Sequence, residues 1–154
     1  STHLDSGSTN TLRITEVKAL HACTNNSAEQ KIVAGDFNST YSTTEMTLMA
    51  TLFNDGWAKA AADKTAVSYV GNTSVGATRN GRIDYVWYSA NSLQVSGLLG
   101  EVDPDYLKRV PGFPNYHFPS DHLALWVEYV VKNKKERKQV EADFGQGRKN
   151  SSRQ

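Results

Sequence analysis

Four short stretches set polar residues where strands should meet turns. They are "STHLD" with His3, "GDFN" with Asp36 and Asn38, "RIDY" with Asp84, and "PSDH" with Asp121 and His122. In extended backbone Asp36 and Asn38 point to one side, while Phe37 between them turns into the core. Asp84 interrupts an otherwise apolar run, and a buried carboxylate is costly unless hydrogen-bonded or bound to a cation. Plainer readings exist for each: an Asx turn at Asp36, a loop cap at Asp84, a strand cap beside a surface histidine at Asp121–His122, a surface group at His3. One shared site accounts for all of them together.

The chemistry that uses this set is metal-assisted cleavage of a phosphate ester. Mg²⁺ takes oxygen ligands, typically one or two carboxylates, and leaves the other positions to water and phosphate. Asp36 can orient or deprotonate the attacking water, and Asn38 can bind the metal or hold developing negative charge. A histidine fixed by a carboxylate can contact the phosphate or move a proton. Asp121, Asp84 and His122 can supply that pair between them.

The elements that must position these residues read as an alternation of helices and strands. "TLRITEVKALHAC" (residues 11–23) spaces Leu12, Ile14, Val17 and Leu20 as a helix does. "KIVAGDFN" predicts a short buried strand over 31–34, ending at Gly35. Ser42 with Glu45 has the form of a capping box. Met46, Met49, Ala50 and Phe53 then recur on one helical face, and Asn54-Asp55-Gly56 closes the helix. Asn80-Gly81 is a turn signal. Residues 82–89, aromatic and β-branched, predict a strand, and "LQVSGLLG" predicts another. A proline-punctuated loop follows, with a helical turn at 106–109. The run 123–127 predicts a strand buried on both faces, with Asp121 and His122 at its first residues. Trp87, Tyr85 and Trp126 are expected in the core, and Trp57 is expected to pack a loop onto the sheet. Together these elements predict an α/β sheet covered by helices.

The chain has 154 residues, enough for one domain with its own core. No apolar run approaches the roughly 20 residues that cross a bilayer, and the opening residues lack the basic start and apolar stretch of a signal peptide. No membrane partner is expected. The single cysteine, Cys23, excludes an internal disulfide framework and fits a reducing compartment; it is expected to be an inert small hydrophobe on a helix. Charge is uneven: residues 1–131 hold 9 basic and 13 acidic side chains, residues 132–154 hold 8 and 3. A basic flexible tail over 132–154 is therefore expected, either an electrostatic arm for nucleic acid or a solvated terminus.

The order "THLD … GDFNS … RIDYVWYS … PSDH" resembles the endonuclease/exonuclease/phosphatase superfamily, with its deoxyribonuclease I-like fold, from His3 to about Val131. The resemblance implies a two-sheet α/β sandwich bearing a phosphodiesterase site at one edge. It implies a phosphate-contacting role for His3, a catalytic pair in Asp36 and Asn38, and a catalytic histidine in His122 partnered by Asp84. It also implies a metal site at Asp36, Asn38 and Asp121, taking Mg²⁺, with Mn²⁺ as a substitute. "VSGLLGEVDPDYLKRVPGFPNYHFPSDHLAL" and the tail "KKERKQVEADFG" are similar to catalytic subunits of the carbon-catabolite-repressor type of poly(A) deadenylase. That implies a 3′-to-5′ exoribonuclease acting on poly(A) RNA, a deadenylase-complex scaffold as partner, and a cytoplasmic location with the nucleus as a further compartment.

Two departures shape these expectations. The segment between "GDFNS" and "IDY" is shorter than in such deadenylases, whose aromatic-containing stretch stacks on adenine, an interaction worth about 1–3 kcal/mol per base. The chain thus resembles the generic pattern up to about Ser89 and the deadenylase pattern afterwards. It also opens at the histidine motif, without the family's metal-anchoring glutamate. The expectation is the C-terminal half of the sandwich, with the N-terminal half absent from this chain: a fragment, or a partner of a second chain that completes the fold. Two alternatives remain, a general phosphoesterase on DNA, nucleotides or other phosphodiesters, and an inactive nucleic-acid-binding fragment.

Overall fold

Two of the runs predicted as strands, those over 31–34 and 82–89, form the centre of a four-stranded sheet, and the other two pair with each other. The computed structural model describes residues 1–7, 9–25, 30–58, 74–75, 80–99, 114–116, 119–133 and 136. In chain order the elements are β1 (Thr2–His3), α1 (Asn10–Asn25), β2 (Ile32–Asp36), α2 (Thr44–Leu52), β3 (Asn54–Asp55), β4 (Ser74–Val75), β5 (Asn80–Gly81), β6 (Asp84–Tyr88), β7 (Leu93–Leu99) and β8 (Trp126–Val131). The main sheet runs β1-β2-β6-β3, and β4-β5 and β7-β8 form two-stranded ladders. The predicted helical turn at 106–109 and most of the tail lie outside the described residues.

Register decides which residues share a face. In the antiparallel β2–β6 pair Ile32 lies opposite Tyr88, Ala34 opposite Val86, and Asp36 opposite Asp84, so these six share one face. The alternate residues Val33, Tyr85 and Trp87 lie on the other face with Phe37, and there they meet Leu4, Val17, Met46, Met49 and Phe53 in one buried cluster. Among the described residues the helices α1 and α2 thus cover this face alone. Tyr85 stacks on Trp87 with ring centres 5.4 Å apart, and Phe37 meets Tyr85 edge-on at 5.6 Å, geometries that aromatic rings favour. The opposite face is covered at one end by the β7–β8 hairpin, where Tyr88 packs with Leu93, Val95, Val127 and Tyr129.

β1 runs parallel to β2, with His3 beside Asp36. Gly35 makes this approach possible: its φ is +154°, and a Cβ there would lie 1.7 Å from the Thr2 carbonyl oxygen. Any larger residue would push β1, and with it His3, away from the sheet.

Several expectations need correction. The Ser42–Glu45 capping box does not form: the cap is Thr43, without a side-chain bond, and Glu45 is fully buried against Arg13 and Ser39. Interior partners outcompete the local cap. Ala50 is exposed although it fits the apolar spacing, and on α1 Leu12 is exposed while Arg13 is buried. Cys23 lies on α1 as expected, but exposed. The helix α2 ends where the Phe53 N–H bonds the Met49 carbonyl; Asn54 and Asp55 then pair with Tyr88 and Trp87 as an edge strand rather than a turn. Asn80-Gly81 likewise pairs with Ser74–Val75. The last strand begins at Trp126, not Leu123. Its side chains alternate between half-buried and exposed, and Trp126 is 55% exposed, because among the described residues only the Val127–Tyr129 face of β8 packs, against the Tyr88 cluster. Trp57 is buried, as are Tyr85 and Trp87.

Candidate active site

Among the described residues no helix covers the second face, and its end away from the β7–β8 hairpin is where the polar motifs converge. Asp36 closes β2 and Asp84 opens β6, so antiparallel pairing alone sets the two carboxylates side by side. The segment before β8 then lays His122 across them. His122 Nδ1 is 2.9 Å from Asp84 Oδ2, and Nε2 is 3.7 Å from Asp36 Oδ2. Ser120 Oγ accepts the His122 backbone N–H at 3.0 Å, fixing the turn that delivers the ring. Beside it lies a cleft of about 150 Å³, lined by Ala34, Asp84, Val86, Leu123 and Leu125 among others.

The second wall comes from β1 and the turn after β2. His3 Nε2 lies 3.4 Å from Asp36 Oδ2 and 3.4 Å from Asn38 Nδ2. Asn38 donates through Nδ2 to the Leu4 carbonyl at 2.9 Å, and its backbone N–H bonds Asp36 Oδ1 at 2.7 Å. That last bond is an Asx turn. The plain reading of Asp36 is thus realised, yet only through Oδ1, while Oδ2 faces both histidines. Asn38 has a φ of +49°, a left-handed conformation that asparagine tolerates better than most residues. The two residues flank a fully buried Phe37 as expected, although Asn38 has left the extended path.

Burial alone would lower the pKa of His122. The hydrogen bond and charge of Asp84, then the charges of Asp36 and Asp121, outweigh it and hold the imidazolium above its ordinary range. With Nδ1–H committed to Asp84, the Nε2 edge is the one presented toward Asp36.

Asp36, Asp84 and His122 each bring one ligand atom into a group spanning no more than 4.8 Å, and such a group can hold a metal ion. Five of the six sequence-derived residues therefore converge: His3, Asp36, Asn38, Asp84 and His122. Asp121 stands exposed at the rim, outside that group. The network beneath the site escaped the sequence reading. Arg82, in the quoted "RIDY", places its guanidinium 4.4 Å from the centre of the Tyr85 ring and 2.7 Å from Asp55 Oδ2. Tyr85 in turn donates to the Ser39 carbonyl. The available signal was an arginine set just before an aromatic strand, where it can stack on a ring.

Residues 5–122 match the Endonuclease/Exonuclease/phosphatase family. The chain belongs to that family. Among its curated relatives, the CCR4-Not complex 3'-5'-exoribonuclease subunit Ccr4 of Phaeosphaeria nodorum is 65% identical over 68 residues, which are 44% of this chain and 11% of that protein. The Coccidioides immitis subunit of the same name is 76% identical over 63 residues, 41% of this chain and 8% of that protein. The chain's matched part is thus about a tenth of these relatives' length. Among solved structures, the human Nocturnin catalytic domain with bound sulfate anion matches with a TM-score of 0.58 and 25% identity, over 84% of this chain and 45% of that one. A family protein from Bacteroides thetaiotaomicron matches with a TM-score of 0.61 and 17% identity, over 85% and 48%. The mixed α/β fold of the family is therefore the fold of this chain.

Proposed function

We propose that this chain carries the phosphodiesterase site of a divalent-metal-dependent 3′-to-5′ exoribonuclease that shortens poly(A) tails. The observation that carries the reading is the convergence of His3, Asp36, Asn38, Asp84 and His122 from four separate segments onto one sheet end. The high identity to fungal subunits named as exoribonucleases supports RNA as the substrate.

The donor set fits a hard divalent cation, Mg²⁺ with Mn²⁺ as a substitute, because two carboxylates lie together at the open end of the face. Asp36 would be its main ligand, with Asn38 and the rim carboxylate of Asp121 beside it; when bound, the ion supplies positive charge against the scissile phosphate. The chain's own groups divide the remaining work. His3, 69% exposed, contacts a phosphate oxygen from the solvent side. Asp36 orients the attacking water. Asn38 steadies negative charge as it develops. Asp84 fixes one tautomer of His122, whose Nε2 then contacts phosphate or moves a proton.

Two partner assignments belong to the same reading. The curated relatives are named as subunits of the CCR4-Not complex, which supports a complex scaffold as partner. The solved relatives are about twice as long as the part matched, and Ile32, Trp126, Val130 and Val131 are more than half exposed. Both support a further half of the fold covering the face that α1 and α2 leave.

The test uses this chain, Mg²⁺ and two 5′-labelled RNAs, one A-tailed and one with a mixed 3′ end, beside Asp84→Ala. Stepwise loss of the A-tail alone, absent in the variant, supports the deadenylase. Equal attack on both RNAs favours the general phosphoesterase. Binding without turnover favours a nucleic-acid-binding role that needs more polypeptide for catalysis.

A further inference from the structure

Two loops carry the outer wall of the site. One leaves β1 and holds residues 4–7; the other leaves β2 and holds residues 37–43. At the surface they are joined by the bond from Asn38 Nδ2 to the Leu4 carbonyl. A second connection runs underneath. Arg13, only 8% exposed, donates through Nη1 to the carbonyls of Gly7 at 2.6 Å and Asp5 at 3.3 Å, and through Nη2 to Asn10 Oδ1 at 2.8 Å. Its Nε reaches Glu45 Oε1 at 2.9 Å, and the same oxygen accepts the Ser39 hydroxyl. A continuous polar chain thus runs from the loop after His3, through the interior, to the residue after Asn38.

We propose that Arg13 and Glu45 are positioning residues that hold His3 and Asn38 in register against Asp36. The proposal rests on the phosphodiesterase reading of that site. A buried ion pair is a weak source of net stability, and apolar replacement of both members is often neutral. Apart from the ion pair itself, the bonds described go to the two site loops or to Asn10 at the start of α1. Asn38 sits in a sparsely populated backbone conformation, which persists only where surrounding contacts hold it. Ser39, tied to Glu45 by its hydroxyl and to Tyr85 by its carbonyl, supplies that hold one residue away.

The decisive experiment compares the wild-type chain with the double variant Arg13→Met, Glu45→Met and with Ser39→Ala. Each is followed by thermal midpoint, by the Asn38 backbone and side-chain amide resonances, and by turnover of A-tailed RNA. The expected result is a double variant with a midpoint near wild type, shifted Asn38 resonances, and kcat lower by about tenfold to a hundredfold with a smaller change in KM. Ser39→Ala cuts only the last link, so it remains informative if the double variant does not fold. It should shift the same resonances and lower kcat about tenfold. Unshifted resonances and wild-type kcat in Ser39→Ala would overturn the proposal. Wild-type chain that neither binds nor cleaves RNA would overturn the phosphodiesterase reading instead, and the Asn38 resonances would still decide the positioning role.

Discussion

The two faces of the β2–β6 pair draw on the same two strands and are put to different uses. On one, Val33, Tyr85 and Trp87 are closed under α1 and α2 in a continuous apolar cluster. On the other, the row Ile32, Ala34, Asp36 runs opposite Tyr88, Val86, Asp84 and grades from apolar to acidic. Among the described residues the β7–β8 hairpin covers the Tyr88 end, and the acidic end meets His3 and His122. The lesson is a division of labour set by alternation: one residue step along a strand separates a side chain that holds the fold from one that can do chemistry.

That division can be broken from either side. The largest effect is expected from Asp84→Ala. It should lower turnover by about 10²- to 10⁴-fold and leave the far-ultraviolet circular dichroism unchanged, because Asp84 faces away from the core. Trp87→Ala, three residues along the same strand, should do the reverse and destabilise the chain by about 3–5 kcal/mol in denaturant titration. Gly35→Ala tests the seam between the faces. The close approach of Thr2 forces β1 outward, so binding of a phosphate-containing ligand should weaken through His3, alongside a stability loss of about 1–3 kcal/mol.

A subtler effect concerns pH. The partners of His122 favour its charged form over burial, raising its pKa above the ordinary 6.5. Their stabilisation is complete below the unfolded value and lost as pH rises through the raised folded value. Thermal midpoints of the metal-free chain should fall over that window, and Asp84→Asn should flatten the fall. The smallest effect is expected from truncation after Val131, which removes 8 basic and 3 acidic side chains. If the tail is an electrostatic arm, RNA affinity falls at low salt and its salt dependence becomes shallower; unchanged binding removes that role.

Much of the site was legible because its residues break local rules. Asp84 at the head of an aromatic strand, and the polar pair around Phe37, each have a local reading, and the Asx turn at Asp36 is real; the coincidence of all of them was the signal, and Asp84 and Asp36 proved to face the cluster. What stayed hidden was non-local. Glu45 looks like a helix cap because sequence spacing cannot show Arg13 arriving from 32 residues away. Asn54-Asp55 and Asn80-Gly81 carry turn residues, yet the strands beside them recruit both pairs into ladders. Trp126 reads as core from its type, while its exposure depends on how much of the hairpin is covered. At Asn133 and Glu136 each backbone N–H bonds the other's side chain, a reciprocal cap at the start of the basic segment that its charge pattern concealed.

The most direct test of the central claim is turnover of A-tailed RNA by His122→Ala and wild-type chain at equal folded fraction, with Mg²⁺ present. A loss of about 10²-fold or more is expected, with unchanged thermal midpoint at alkaline pH, where the His122 charge no longer contributes. Near-wild-type turnover by His122→Ala would contradict it, and the open end of the sheet would not be the reaction centre.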